Sequence, residues 1–442
     1  MATGNPAPKR KGPASSDEAN GYSLVYANKR SEEEILSESI ASITSLGEIV
    51  NSQNRLYFGD NVGILRSLLK EGFEGKVRLA YIDPPYATGS EFATRSLEYA
   101  YHDVSVGAQY LEFLRERLIL LRELLADDGS IYVHLDDKMA FAVKIIMDEV
   151  FGAKNFRNWI TRVKSSRKNY TRRQYGNISD YILFYSKGDS YVWNRAYEEW
   201  DEAAMRREYP CVEDETGRRY KKVPVHAPGV RKGVTGGKWK GMTPPPGKHW
   251  QYKPEKLDEM DARGEIYWSP NGNPRRKIYF DDSKGIPIQD VWTSLRDAHN
   301  QNIKITGYPT EKPQELLERI IAASSNEGDL VLDCFVGSGT TLTAAEKLGR
   351  QWIGVDNGTQ AIETSIKRLT QGIDRMGDFV QARKALETDT LFHEQLPLEL
   401  NANRPNLSGF SLLADSEILE DAERSDLIAR WQRLLKDFKG DD

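Results

Sequence analysis

The sequence predicts an α/β protein with a mostly parallel sheet covered by helices on both faces and interrupted by an inserted segment of irregular character. Three observations lead there. Short apolar strands alternate with helices from Arg55 to Val150, and the same rhythm resumes from Pro313 to Thr370. One strand, Leu330 to Asp333, runs into a glycine turn that opens directly into a helix. From about Tyr191 to Asp290 the rhythm fails, in a stretch holding Pro244-Pro245-Pro246, many glycines and Trp193, Trp200, Trp239, Trp250 and Trp268.

Taken in order, residues 1–20 are rich in Pro, Gly, Ser and Ala and are expected to be disordered. Ser31-Glu32-Glu33-Glu34 is a capping box ahead of Ile35, Leu36, Ile40, Ile43 and Leu46, which predicts an amphipathic helix. Strands are expected at Arg55–Phe58, Val77–Ile82 and Ser130–Leu135. Helices are expected at Asn61–Lys70, at Gln109–Leu125 with Leu111, Leu114, Leu118 and Leu121 on one face, and at Lys138–Val150. After the insert come helix Pro313–Ala323, strand Leu330–Asp333, helix Thr340–Leu348, strand Gln351–Val355 and helix Gln360–Thr370. Beyond Lys384 the chain is acidic, with a last helix at Ser416–Phe438. The expected division is 1–20 disordered, 21–190 and 291–375 as two parts of one α/β domain, 191–290 as the insert, and 376–442 as a partly helical extension.

Composition narrows the classes. In 442 residues no apolar run approaches the ~20 needed to span a bilayer, and Lys9, Arg10 and Lys11 precede no apolar stretch, so neither a membrane protein nor a secretory leader is expected. Two cysteines, Cys211 and Cys334, exclude a disulfide framework and point to a reducing, cytoplasmic setting. Six scattered histidines give no metal-ligand spacing, so no metal is expected. The net charge of −5 hides an asymmetry: Lys154 to Glu255 holds 22 Lys and Arg against 11 Asp and Glu, leaving −16 on the remainder. That pattern suits either a bound polyanion or a solvated surface.

Two motifs carry chemistry. In Asp333-Cys334-Phe335-Val336-Gly337-Ser338-Gly339-Thr340-Thr341 a buried strand ends in a turn whose glycines let a backbone approach a ligand. No Lys follows Gly339, so it is not a phosphate loop, and Leu342 stands where a dinucleotide fingerprint has its third glycine. The next strand ends in Gly354-Val355-Asp356, placing a carboxylate where a ribose diol would lie. A nucleoside without a pyrophosphate fits, as does a tight turn that merely packs a helix. The second motif is Asp83-Pro84-Pro85-Tyr86, directly after an apolar strand; four specified residues recur by chance in on the order of one such chain in several hundred. The prolines stiffen the corner, Asp83 and the Pro84 carbonyl offer two acceptors, and Tyr86 offers a flat face. Those groups suit a planar amino-aromatic ring.

Together, Asp83-Pro84-Pro85-Tyr86 and Phe335-Val336-Gly337-Ser338-Gly339 resemble the paired signatures of S-adenosylmethionine-dependent amino-methylating DNA methyltransferases. The order, with the tetrapeptide first and a long variable region between, is similar to the β class, which includes modification subunits of type III restriction systems. Tyr110-Leu111-Glu112-Phe113-Leu114, Asp128-Gly129-Ser130-Ile131-Tyr132-Val133-His134 and Tyr308-Pro309-Thr310-Glu311-Lys312-Pro313 resemble that class as well, so the likeness spans Arg55 to Leu369. The resemblance implies a Rossmann-like, seven-stranded methyltransferase fold with permuted motif order and a target-recognition insert. It implies that Asp333, Phe335, Gly337 and Gly339 cradle S-adenosylmethionine, with Asp356 on the ribose. Thr310 and Lys312 would meet the cofactor carboxylate, Lys312 being equally readable as a surface cation. The strand after Asp356 would be the N-terminal Leu56-Tyr57-Phe58, which makes Asp60 an adenine contact or a helix cap.

In the implied reaction Asp83 and the Pro84 carbonyl hold the exocyclic N6 amine of a flipped-out adenine in double-stranded DNA, Pro85 stiffens the corner and Tyr86 stacks on the base. Tyr99, Tyr101 and His102 in the following loop help hold the base or form a lid. Cations of the variable region would contact phosphates, among them Arg162, Arg167, Lys168, Arg172, Arg173, Lys221, Lys222, Arg231 and Lys232. Cytosine N4 is the nearest alternative target, and enzymes of that kind more often carry Ser in place of Asp83. An RNA or protein amine and a non-catalytic binding protein are further alternatives. A homodimer or a restriction subunit is an expected partner.

Overall fold

The computed structural model describes residues 23–49, 53–85, 91–93, 99–102, 107–166, 173–297, 303–304, 306, 308, 311–372, 375–376, 408–420 and 422–439. It divides into a unit of Met1–Asn194 with Gln289–Asp442 and a second unit, Arg195–Ile288.

The elements of the first unit run α1 (Glu32–Ser37), β1 (Ile43–Ile49), β2 (Arg55–Phe58), α2 (Asn61–Leu68), β3 (Val77–Ile82), α3 (Ala108–Leu124), β4 (Leu125–Leu135), α4 (Ala140–Phe151), β5 (Phe156–Val163) and β6 (Ser179–Ser186). After the second unit come β7 (Val291–Trp292), α5 (Gln314–Ser324), β8 (Leu330–Asp333), α6 (Thr340–Lys347), β9 (Gln351–Asp356), α7 (Thr359–Gln371), β10 (Phe410–Asp415) and α8 (Ala422–Lys439). The strands form one ten-stranded sheet in the order β1-β10-β2-β9-β8-β3-β4-β6-β5-β7. From β10 to β4 every neighbouring pair is parallel. Helices cover both faces of these strands, which is why β3 is buried at Val77, Leu79, Ala80, Tyr81 and Ile82 rather than alternating.

The expected parallel α/β core is present, and β2 lies beside β9 with Phe58 opposite Asp356, as the permuted order requires. The sheet exceeds the expected seven strands because β10 and β1 extend it past β2, and the two-residue β7 extends it past β5. The N-terminal amphipathic helix is a correction. The capping box forms, with Ser31 N–H donating to Glu34 at 2.8 Å, but the helix ends at Ser37. Ile43 to Ile49 is instead a strand antiparallel to β10, because partners some 370 residues away outweigh a weak local helix preference. The expected last helix begins later, a 3₁₀ turn occupying Ser416–Glu420. Tyr99–His102 is not a loop but a strand paired with Glu91–Ala93. Among the described residues no helix is long and apolar enough to cross a membrane.

The second unit is more regular than its composition suggests. It holds a four-stranded sheet of Cys211–Val212, Arg219–Pro224, Pro274–Tyr279 and Ile266–Trp268, and a core of its own from Val225, Trp239, Trp250, Leu257, Met260 and Ile266. Three of the tryptophans that suggested irregularity build that core, Trp239 and Trp250 within it and Trp268 packed against it, with Trp239 lying 5.4 Å from Trp268 and its indole N–H on Asp258.

Candidate active site

The two motifs, 250 positions apart at Asp83 and Asp333, meet at the carboxyl ends of adjacent strands. Leu332 pairs with Ala80, so the next residues, Asp333 and Tyr81, emerge side by side. Here the strand order reverses direction about β8, which is where an open α/β sheet forms its ligand crevice. A cavity of about 390 Å³ occupies it, lined by Asp83, Pro84 and Pro85 together with Asp333, Phe335, Gly337 and Asp356. That volume falls within the roughly 300–1,000 Å³ of small-molecule sites.

In the acidic corner, Pro84 is buried and Asp83 is 19% exposed. Lys312, at the entry to α5, is only 8% exposed and its ammonium pairs with Asp83. Lys312 is therefore no surface cation; its charge stands against the Asp83 carboxylate. Tyr86 and Thr310 lie outside the described residues, as do Arg167, Lys168 and Arg172.

The glycine turn is built by two different needs. Gly337 has φ +52°, and a Cβ there would sit 3.3 Å from the Tyr308 ring, so the residue leaves a narrow gap open in the cavity wall. Gly339, the N-cap of α6 with φ +76°, does not line the cavity: a Cβ would come within 2.8 Å of Ser365 Oγ. It lets α6 approach α7.

Carboxylates edge the site. Asp356 accepts N–H groups from Gly337 and Gly358, each at 2.8 Å and each on a different oxygen. Asp333 accepts from Phe335 N–H at 2.9 Å and from the Thr341 hydroxyl at 2.5 Å. Burial nonetheless pushes the Asp333 carboxyl up to about 7, with Asp83 and Asp356 adding to the rise. Asp60 is exposed; it caps α2 through Val62 N–H at 3.3 Å and pairs with Arg117 at 3.1 Å, while also lining the cavity.

Several residues had no sequence signal. Arg117 on α3 donates to Asn61 at 2.6 Å and lies over the Phe113 ring at 3.5 Å, and Asn61 donates to the Cys334 carbonyl at 2.7 Å. This relay ties α2 and α3 to the glycine turn. Arg162 is another correction: it lies on β5, is fully buried and pairs with Asp180 and Asp297, so it cannot meet a phosphate. Lys221 is engaged by Glu208 at 2.6 Å, whereas Arg173, Lys222, Arg231 and Lys232 are exposed.

An acidic corner stiffened by prolines and a cradle of nucleoside size, sharing one crevice, place the molecule among enzymes that move a small group between a nucleotide cofactor and an amine. Residues 77–367 match the N6_N4_Mtase family, DNA methylase, and the chain belongs to it. Over 389 residues it is 49% identical to the type II methyltransferase M.EcaI of Enterobacter cloacae, covering 87% of this chain and 83% of that one. It is 29% identical over 368 residues to the Mod subunit of the type III restriction-modification enzyme StyLTI of Salmonella typhimurium, covering 74% and 55%, so it spans about half that subunit's length. It is also 29% identical over 305 residues to the type II methyltransferase M1.MboII of Moraxella bovis, covering 67% and 90%. The protein is a DNA methyltransferase, and S-adenosylmethionine is its methyl donor.

Proposed function

We propose that the enzyme methylates the exocyclic N6 amine of an adenine flipped out of a specific duplex sequence. The shared cavity carries this reading, since a methyl group moves only between atoms in contact. The cofactor supplies an electrophilic methyl group on a sulfonium. Around it, Asp356 keeps a lone pair on each oxygen for the ribose hydroxyls, the gap at Gly337 admits the backbone edge of the ligand, and Phe335 and Phe113, 6.0 Å apart, form an apolar wall. Asp60 and Asn61 edge the same cavity near its adenine end in this reading.

On the substrate side, Asp83 and the Pro84 carbonyl accept the two N–H groups of the amine. This favours pyramidal nitrogen and offsets the charge that develops there. Lys312 pairs with the Asp83 carboxylate at the same corner. An acidic residue at this position favours adenine over cytosine N4. Mass analysis of nucleosides from DNA of an expressing host should show N6-methyladenine; N4-methylcytosine would overturn the base assignment while leaving the mechanism.

The second unit is the proposed target reader, with exposed Lys222, Arg231 and Lys232 on phosphates. Arg173 joins it from the connection between β5 and β6, whose flanking ends, Val163 and Ser179, lie toward the carboxyl edge of β4. The likeness to a restriction-modification Mod subunit supports a restriction-enzyme partner.

Asp333 tests the cofactor side. Its folded value, about 7, lies above that of an ordinary carboxyl, so the empty site favours the protonated form; that stability is full at acid pH and lost as pH rises through about 7. A cation bound nearby favours the carboxylate, so cofactor binding should release a proton. Affinity for S-adenosylmethionine should weaken by up to about tenfold per pH unit below about 7 and level off above it, and Asp333→Asn should flatten the curve. Calorimetric titrations in two buffers of different ionisation enthalpy count the proton; a pH-independent wild-type affinity would refute the assignment.

A further inference from the structure

In the second unit the strands His226–Pro228 and Lys248–Trp250 pair, and the link between them, Gly229 to Gly247, carries four cations and no carboxylate. On the neighbouring sheet, Lys221, Lys277 and Arg218 are engaged by Glu208, Glu213 and Asp281. In the link only Lys240 has such a partner among the described residues, Asp261. Arg231, Lys232 and Lys238 have none and are exposed.

The first part of the link is held fast. Gly229 N–H donates to the Gly247 carbonyl at 2.9 Å, and buried His249 donates through Nδ1 to the Gly229 carbonyl at 2.8 Å. At the other end the indole N–H of buried Trp250 donates to the Gly237 carbonyl at 3.0 Å, two residues before Trp239 enters the core. Between these ends Gly236 N–H closes on the Gly233 carbonyl at 2.8 Å, and a Cβ on Gly236 would collide with the Arg231 carbonyl. Residues 229–237 are therefore a compact loop shaped by buried aromatic groups and by glycine, with little ordering left to lose on binding.

What this loop shows to solvent is Val230-Arg231-Lys232-Gly233-Val234. Val230 is 77% exposed and Val234 57%, the two most exposed large apolar side chains of the second unit. Two bare valines flanking two unpaired cations match a surface that is anionic at its rims and apolar in places between them. The major groove of a DNA duplex is such a surface, with phosphates along its edges and thymine 5-methyl groups among its polar base edges. Further cations lead to the loop. Lys222 lies over the Tyr267 ring at 3.5 Å, Arg275 stands opposite Pro224 on the same sheet face, and Lys248 stands opposite Pro228 at the root of the loop. Burial and the charges of Lys248 and Arg275 lower the His226 imidazole from its ordinary value, so all three are neighbours.

We propose that residues 229–237 are the base-reading element of the enzyme: the loop enters the major groove of the target duplex, Arg231 and Lys232 hold phosphates at its rims, and Val230 and Val234 pack on thymine methyl groups. The proposal rests on the second unit being the target reader, and adds that thymine belongs to the sequence it reads.

The test uses the full chain and the target duplex, identified by mapping modified bases in DNA of an expressing host. Replacing a thymine by deoxyuridine removes only the 5-methyl group. At one or two thymines other than the partner of the methylated base, this should weaken wild-type binding about three- to tenfold, the effect of one buried methyl contact. Val230→Ala and Val234→Ala should each weaken binding to the unmodified target by a similar factor and leave binding to duplex without the target unchanged. Each should also become insensitive to deoxyuridine at the position its valine contacts. A wild-type enzyme indifferent to every replacement, variants as sensitive as wild type, or an equal loss on target and non-target DNA overturns the proposal. Lys222→Ala and Arg231→Ala separate it from the reading beneath, because each should weaken both duplexes alike and reduce the salt slope by about one. If neither does so, the second unit is not the reader; if both do while deoxyuridine has no effect, the base-reading role of the loop alone falls.

Discussion

Asp83→Ala should lower single-turnover methyl transfer by on the order of 10³-fold while S-adenosylmethionine and DNA still bind. The carboxylate sits at the end of β3, 19% exposed, on a corner that Pro84 and Pro85 make rigid. Its loss removes the acceptor on which positive charge develops at nitrogen, an interaction that strengthens toward the transition state and so appears in the rate rather than in binding. Lys312 sharpens the test, because the variant leaves an 8%-exposed ammonium without the carboxylate it opposes here. Asp83→Asn, which keeps one acceptor oxygen, should recover part of the rate. Turnover of radiolabelled cofactor measures both, and an Asp83→Ala rate within tenfold of wild type would end the assignment of Asp83 as the amine acceptor.

Arg368→Met should destabilise the protein by about 3–5 kcal/mol, the usual cost of removing one member of a buried ion pair. Arg368 on α7 is 1% exposed and meets Glu311, 7% exposed, at 2.6 Å. It also donates to Thr340 at 2.9 Å and to the Ser338 hydroxyl at 3.3 Å, so one guanidinium braces the glycine turn against the segment carrying Tyr308 and Lys312. Without it, among the described residues, the Glu311 carboxylate keeps the N–H and hydroxyl of Thr306. Cofactor affinity should fall along with stability, and adding Glu311→Gln should restore part of both. Denaturant unfolding reads the first and calorimetry the second; a stability loss below about 1 kcal/mol would show that the pair does not act as a buried brace.

The parts of the fold legible in the sequence are those written in adjacent residues. Arg55–Phe58, Val77–Ile82 and Leu330–Asp333 are strands with the expected bounds, because an apolar run meets a helix cap or a turn at a definite residue. The same locality exposed Asp83-Pro84-Pro85 and the glycine turn. What remained hidden depends on partners distant in the chain. Ile43–Ile49 reads as a helix until Phe410–Asp415 lies beside it, and β5 and β6, which the sequence reading did not mark as strands, form an antiparallel pair. In the site, the link from Asn61 to Cys334 and the contact of Lys312 with Asp83 join residues more than two hundred positions apart, which only the assembled fold brings together. Gly339 shows the converse limit, since its neighbours in sequence suggest a ligand and its neighbour in space is Ser365.

The place of β10 between β1 and β2 has a consequence for how the protein is made. Ile43 waits for Asp415, so during translation the ribosome must deliver nearly all of the intervening chain before that side of the sheet can close. Until then the nascent polypeptide carries two unsatisfied strand edges, the kind of surface that aggregates or recruits chaperones. Synthesis halted before Phe410 would leave the catalytic crevice built and its flank open.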